Sequence, residues 1–278
     1  MHKWLGITHS DSEDDSSSSD EDLIDATFDE SKLVKAQAYA DNIAARSWGL
    51  SHRDKAGLSE GQLALTADVT VHFQEELGQQ RRVWDCALVV SKFLANPLYF
   101  PPGSFNGKQI IELGCGIGVP GLSAALLGAK QVVLTDMAQA IPWIDINIAK
   151  NTFDANITTV SSMPLMWGPA LRLAILMSLY SCNADATTSI AGPFDVILCS
   201  DLIYGDTELA DLLMATIRTL SHVNTLIVFA HEARYAGNQG RYFLDSMAKS
   251  HVVTNIPLDQ LDPVYRSTNI HVHLIRSR

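Results

Sequence analysis

Residues Ile110 to Gly121 read I-I-E-L-G-C-G-I-G-V-P-G. An apolar run ends in an acid, Glu112, and glycines then recur at alternate positions, Gly114, Gly116 and Gly118. A short apolar run that halts at glycines reads as a buried parallel strand feeding a tight turn and then a helix. Glycine in such a turn lets the backbone come close to a ligand, with helix N–H groups facing it. This stretch predicts an α/β fold with a site for a nucleoside-type cofactor at the strand's end.

The chain on either side supports that fold. Strands are predicted at 109–113, 131–135, 158–162, 194–199, 225–230, 252–256 and 269–275. Helices are predicted between them, notably at 119–127, 138–150, 206–220 and 240–249. Such alternation gives a mostly parallel sheet with helices on both faces. The last two strands have no long helix between them, so the sheet should end antiparallel. Upstream, Leu33, Ala36, Tyr39, Ala40, Ile43 and Ala44 follow helical spacing until Gly49. Residues 50–66 fit no single pattern. Val69, Val71 and Phe73 alternate, Gly78 marks a polar connection, and Arg82-Val83-Trp84 follows, which reads as a β-hairpin. Asp85 is expected to cap a helix running through Phe93-Leu94 to Pro97. Between the third and fourth sheet strands, residues 169–193 read as an inserted helix (Pro169 to Tyr180) and a polar loop.

The net charge of −11 is uneven. Residues 11–30 hold ten acids and no Lys or Arg; setting these aside leaves 21 of the 31 acids, against 20 basic residues. The expected organisation is an acidic disordered tail at 1–30, a helix and hairpin extension at 31–84, and a catalytic domain at 85–278. The tail is open to two uses, solvation or docking to a basic partner. A neutral body lacks the basic footprint of a nucleic-acid binder. No run reaches the ~20 apolar residues of a membrane span, and the opening M-H-K-W-L-G-I-T-H is too short and mixed for a signal peptide. Four cysteines (Cys86, Cys115, Cys182 and Cys199) form no C-x-x-C pair. No zinc site or disulfide framework is expected, and a reducing compartment is: the cytoplasm, with the nucleus also open. The nine histidines are scattered; His271 and His273 would share one face of a strand and are expected at the surface. A monomer is expected.

Two cofactors compete for the glycine turn. Gly116, Gly118 and Gly121 satisfy the dinucleotide pattern G-x-G-x-x-G, and Asp136 follows about 20 residues on. Against that, Glu112 would face an anionic pyrophosphate, and Gly114 falls outside the pattern. An acid followed by G-x-G-x-G suits a cationic ligand without phosphates, and S-adenosyl-L-methionine is one.

Open α/β sheets bind ligands at strand carboxyl ends where the strand order reverses. The first and fourth strands would flank that reversal. Glu112-Leu113-Gly114-Cys115-Gly116 and Cys199-Ser200-Asp201-Leu202-Ile203-Tyr204 would then face one crevice, with Thr135-Asp136-Met137 next door. Asp136 can accept both ribose hydroxyls, since a carboxylate offers two oxygens. Trp84 is placed to cover the methionine end of the cofactor and Trp167 to reach its adenine. Each is also a candidate packing tryptophan.

The set Val83-Trp84-Asp85, Glu112-Leu113-Gly114-Cys115-Gly116, Asp136, Leu165-Met166-Trp167-Gly168 and Ser200-Asp201-Leu202-Ile203-Tyr204 resembles the family-16 group of methyltransferase-like proteins. The resemblance covers about residues 65 to 275. It implies a class I methyltransferase fold, Rossmann-like with seven strands, and methylation of lysine in other proteins. It also implies that Trp84, Gly114 to Gly116, Asp136, Trp167 and Ser200 bind S-adenosylmethionine; Glu112 and Met137 are expected to bind the cofactor with them. Asp201 and Tyr204 would line the path of the substrate amine. The acidic tail and the long 169–193 segment depart from the family's pattern.

Three function classes follow from these residues: a protein-lysine N-methyltransferase, a small-molecule N-methyltransferase, or a cofactor-binding interaction protein without catalysis. Nucleic-acid amine methylation usually comes with N/D-P-P-Y after the fourth strand, and Ser200 to Tyr204 lacks those prolines.

Overall fold

A computed structural model describes residues 60–76, 78–168, 193–204, 207–233 and 239–278. The acidic tail, the helix expected after Ser31 and residues 169–192 of the insertion lie outside the described residues. In chain order the elements are β1 (Glu60–Ala64), β2 (Thr70–Gln74), α1 (Asp85–Leu94), β3 (Gln109–Leu113), α2 (Val119–Leu126), β4 (Gln131–Asp136), α3 (Ile141–Ala149) and β5 (Thr159–Pro164). There follow β6 (Phe194–Ser200), α4 (Thr207–Leu220), β7 (Ser221–Glu232), α5 (Gln239–Met247), β8 (His251–Asn255) and β9 (Ile270–Ser277).

Seven strands form one sheet in the order β5-β4-β3-β6-β7-β9-β8. β3 to β7 run parallel, and β9 inserts antiparallel between β7 and β8. Strand alternation sends neighbouring residues to opposite faces. On one face Ile110, Val132, Leu198, Val228 and Val272 pack with Leu88 and Phe93 of α1, Leu122 of α2 and Ile144 of α3. On the other, Ile111, Leu113, Ile197, Phe229 and Ile275 pack with Leu213 and Ile217 of α4 and with Phe243 and Met247 of α5. Each such aliphatic or aromatic side chain removed from water stabilises the fold by about 1.5–3 kcal/mol. This is the seven-stranded Rossmann-like sheet with flanking helices that the sequence predicts.

The hairpin is present, but its arms differ from the expected ones. β2 pairs with β1, not with Arg82-Val83-Trp84. β1 reads E-G-Q-L-A, and Leu63 is its one buried residue. Its fit rests on Gly61, which lies opposite Phe73: a Cβ there would fall 2.2 Å from the Phe73 ring. Thr66 shapes the turn, its Oγ1 accepting from Asp68 and Val69 N–H. The Arg82-Val83-Trp84 run is instead coil, with Val83 N–H donating to Glu75 Oε2 at 2.9 Å.

The free edge of β2 is covered by side-chain amides. Asn147 and Asn151, one helical turn apart on and just past α3, each accept from and donate to its backbone, at His72 and Gln74. Asp85 is also displaced from the expected role. Trp84 occupies the N-cap of α1 without a side-chain cap bond, and Asp85 is the first helical residue. There its charge complements the positive end of the helix dipole.

Candidate active site

β3 and β6 are neighbours in the sheet, so the strand order reverses between them and opens a crevice at their carboxyl ends. The glycine turn sits at that point. Gly114, Gly116 and Gly118 have φ of +55°, +58° and +82°, a region that L side chains rarely adopt. A Cβ on Gly114 would also fall 2.7 Å from Leu202 and 3.0 Å from Trp167. The carboxyl ends of β3 and β6 and the segment after β5 therefore converge on one glycine.

The turn is tied to β4 through polar groups. Cys115 N–H donates to Thr135 O at 2.9 Å, and Gly116 N–H to Asp136 Oδ2 at 2.8 Å. Thr135 Oγ1 donates to Glu112 O, and Met137 N–H to Asp136 Oδ1. Burial pushes the Asp136 carboxyl above its ordinary pKa, opposed by those N–H donors. Cys115 is buried beneath the turn and burial pushes its thiol well up, as it does for Cys199. Both are packing thiols.

Glu112 corrects the sequence expectation. It is 1% exposed, and its Oε2 accepts from Gly121 N–H at 2.7 Å in the first turn of α2. The side chain faces the helix, where a carboxylate complements the dipole, rather than a cofactor. Burial raises its pKa well above the usual carboxylate range. The strand's alternation decides this: Glu112 shares its face with Ile110, the face that α2 covers.

The two tryptophans flank the turn. Trp167 lies over Gly114, and Gly168 N–H donates to Thr216 Oγ1 of α4, which anchors the segment. Trp84 belongs to the opposite wall. Its Nε1 donates to Gln79 O, and Gln80 O and Arg82 O stand 3.9 Å from the point a Cβ on Gly116 would occupy. Those two carbonyls had no sequence signal, because backbone oxygens carry none.

Ser200 and Asp201 end β6. Ser200 Oγ is buried and has no hydrogen-bond partner among the described residues. Asp201 is the one non-glycine residue among those described with a left-handed backbone, at φ +58°. Its N–H donates to Ala230 O at 2.8 Å, and Oδ1 accepts from Glu232 N–H at 3.4 Å. Leu202 and Ile203 turn into the core, and Tyr204 emerges 43% exposed. Asp201 and Tyr204 thus share the crevice's β6 rim. A strained conformation at a ligand crevice points to function more than to folding.

Next along the same edge is a histidine cluster. His231 of β7 pairs in register with His271 of β9. Its ring lies 5.5 Å from that of His271 and 5.6 Å from that of His273. His273 is 7% exposed, contrary to the surface position expected. Burial first, then the two neighbouring imidazoles, lower its pKa to about 4. The His231 and His273 rings stack at 15°. Among the described residues no group of three His, Cys, Asp or Glu is arranged to hold a metal.

The model of a family described as lysine methyltransferase matches residues 65–250. The chain belongs to this family. Among its relatives is the Protein N-lysine methyltransferase METTL21A of Xenopus tropicalis, 30% identical over 204 residues, covering 73% of this chain and 80% of the relative. The EEF1A lysine methyltransferase 3 of Mus musculus is 27% identical over 210 residues, covering 76% and 77%. The Histone-arginine methyltransferase METTL23 of Xenopus laevis is 31% identical over 138 residues, half of each chain. A likeness in fold alone links it to the T. thermophilus 16S rRNA N2 G1207 methyltransferase in complex with AdoMet and guanosine. There the TM-score is 0.51 at 14% identity, covering 81% of this chain and 52% of that one.

Membership of the lysine methyltransferase family implies S-adenosylmethionine, and the crevice fits it. The glycine turn leaves room where side chains would stand, and the buried Ser200 hydroxyl still has its hydrogen-bonding capacity to use. Each Asp136 oxygen accepts one N–H and retains a lone pair for a hydroxyl donor.

Proposed function

We propose that this member of the lysine methyltransferase family transfers a methyl group from S-adenosylmethionine to the neutral side-chain amine of a lysine in a partner protein. The observation that carries this reading is Asp201, held left-handed at the crevice rim beside the exposed Tyr204. Trp84, Gly114, Cys115, Gly116, Asp136, Met137, Trp167 and Ser200 would hold the donor; Glu112 supports α2 instead.

S-adenosylmethionine, when bound, supplies a methyl group on a sulfonium centre. The chain's own residues have to deliver a neutral amine in line with it. Lysine ionises near 10.4, so neutralising it at pH 7 costs about 4.6 kcal/mol. A desolvated crevice lowers that cost by disfavouring the ammonium form. Asp201 accepts a hydrogen bond from the amine N–H and so aims its lone pair. Tyr204 supplies an aromatic wall with a hydroxyl at its tip. Fixing the amine in this way replaces a bimolecular search with a positioned encounter.

The relatives named as lysine methyltransferases support a lysine acceptor. An arginine acceptor would call for paired glutamates around its guanidinium, and Glu112 is already engaged with Gly121. The compartment proposed is the cytoplasm, with the nucleus open, and the acidic run at 11–30 is proposed to attract a basic partner.

The test is labelling of a cell extract with isotopic methyl donor, followed by mass spectrometry of labelled proteins. A labelled protein band carrying methyllysine is expected. Label confined to small molecules would move the reading to a small-molecule enzyme. Asp201→Ala is expected to lower protein labelling by about 100-fold or more while donor binding survives. Full activity in that variant would remove Asp201 from the mechanism.

A further inference from the structure

The segment between β2 and α1 closes into a loop against the glycine turn. Glu76 N–H donates to Arg81 O at 2.7 Å and Arg81 N–H to Gly78 O at 3.2 Å. Both arginines in this loop lie over tryptophans. The Arg81 guanidinium is 5.3 Å from the Trp143 ring centroid, and that of Arg82 is 5.1 Å from Trp84. Stacking of this kind fixes a guanidinium plane at little cost in entropy. Arg81 also pairs with Glu76 at 3.7 Å.

The loop therefore carries two kinds of group, carbonyl oxygens that face Gly116 and a guanidinium over Trp84. Two carbonyl oxygens, Gln80 O and Arg82 O, face the glycine at 3.9 Å from the place of a Cβ. Arg82 adds a planar cation three residues before the start of α1. Carbonyl oxygens take ammonium N–H donors, and a guanidinium takes a carboxylate in a two-point contact. One ligand group needs both at once, the zwitterion of an α-amino acid. A dinucleotide has no such end; S-adenosylmethionine does.

We propose that the loop at 78–83 binds the amino-acid end of the methyl donor, with Arg82 pairing its carboxylate and the Gln80 and Arg82 carbonyls accepting from its ammonium. This rests on the donor-site reading of the glycine turn and is independent of which acceptor is methylated.

Calorimetric titration of the full chain with two ligands tests it. S-adenosylhomocysteine carries the amino-acid end, and 5′-methylthioadenosine carries the same nucleoside without it. Arg82→Met keeps an apolar stem over Trp84 and removes the charge. It is expected to weaken S-adenosylhomocysteine by about tenfold or more and to leave 5′-methylthioadenosine unchanged. Arg82→Lys, with the charge but not the planar fork, should fall between. Equal weakening of both ligands would mean that Arg82 only shapes the loop, and unchanged affinity for both would remove it from the site; either overturns the proposal. A wild-type chain that binds neither ligand would overturn the donor site itself, and this proposal with it.

Discussion

At the carboxyl ends of β3 and β4, buried polar groups are tied to the backbone around them. Glu112 takes Gly121 N–H, Asp136 takes Gly116 and Met137 N–H, and Thr135 donates to Glu112 O. At the end of β6 and within β9 the pattern changes. Ser200 Oγ and both ring nitrogens of His273 have no partner among the described residues, and Asp201 is left-handed. Buried polar groups are normally satisfied, so each exception calls for a reason. The contrast separates a β3–β4 side of the crevice whose polar groups are already paired from a β6 side that keeps bonding capacity and a left-handed residue for a ligand.

The sharpest way to break this contrast is at Gly114. Its positive φ and the 2.7 Å and 3.0 Å approaches of Leu202 and Trp167 to a Cβ leave no place for a branched side chain. Gly114→Val is expected to cost about 3 kcal/mol or more in denaturant unfolding and to abolish binding of S-adenosylhomocysteine. A stable variant that still binds would show that the β3 side of the crevice yields.

A smaller effect is expected from His273, a buried base within β9. Its folded pKa of about 4 lies below the ordinary histidine value of 6.5, so the unfolded chain binds the extra proton between them. Stability present above pH 6.5 is therefore lost as the pH falls toward 4, by about 3 kcal/mol at most. His273→Leu should flatten that acid limb in urea unfolding between pH 4 and 7. An unchanged slope would assign the limb to other groups.

The last test concerns Glu112, the buried acid of β3, and its sign is opposite. Its pKa is raised on folding, so stability falls as the pH climbs above the ordinary glutamate range. Glu112→Gln keeps an oxygen for Gly121 N–H and has no proton to lose. It should gain on the wild type as the pH rises from 4.5 to 7, read in urea unfolding. A loss that grows with pH would mean that the charged carboxylate is needed.

Much of this molecule is local and could be read along the chain. Apolar runs of strand length, helical spacing and a glycine turn are set by neighbouring residues, and the seven sheet strands fall where those patterns put them. The turn, Asp136, Trp167 and the Ser200 to Tyr204 segment meet as expected because parallel connections leave few ways to order the strands. Three features depended on partners distant in sequence. β2 chose Glu60–Ala64 over Arg82-Val83-Trp84 because Gly61 makes room for Phe73. Glu112 turned inward because α2 covers its face of β3. His231, His271 and His273 met because β9 inserts beside β7 rather than at the sheet's edge. The sequence by itself determined the fold class, the family and the glycine turn, since periodicity and glycine act over a few residues. Tertiary structure alone decided which buried polar groups are paired, because that depends on what the opposing element brings to within hydrogen-bonding distance.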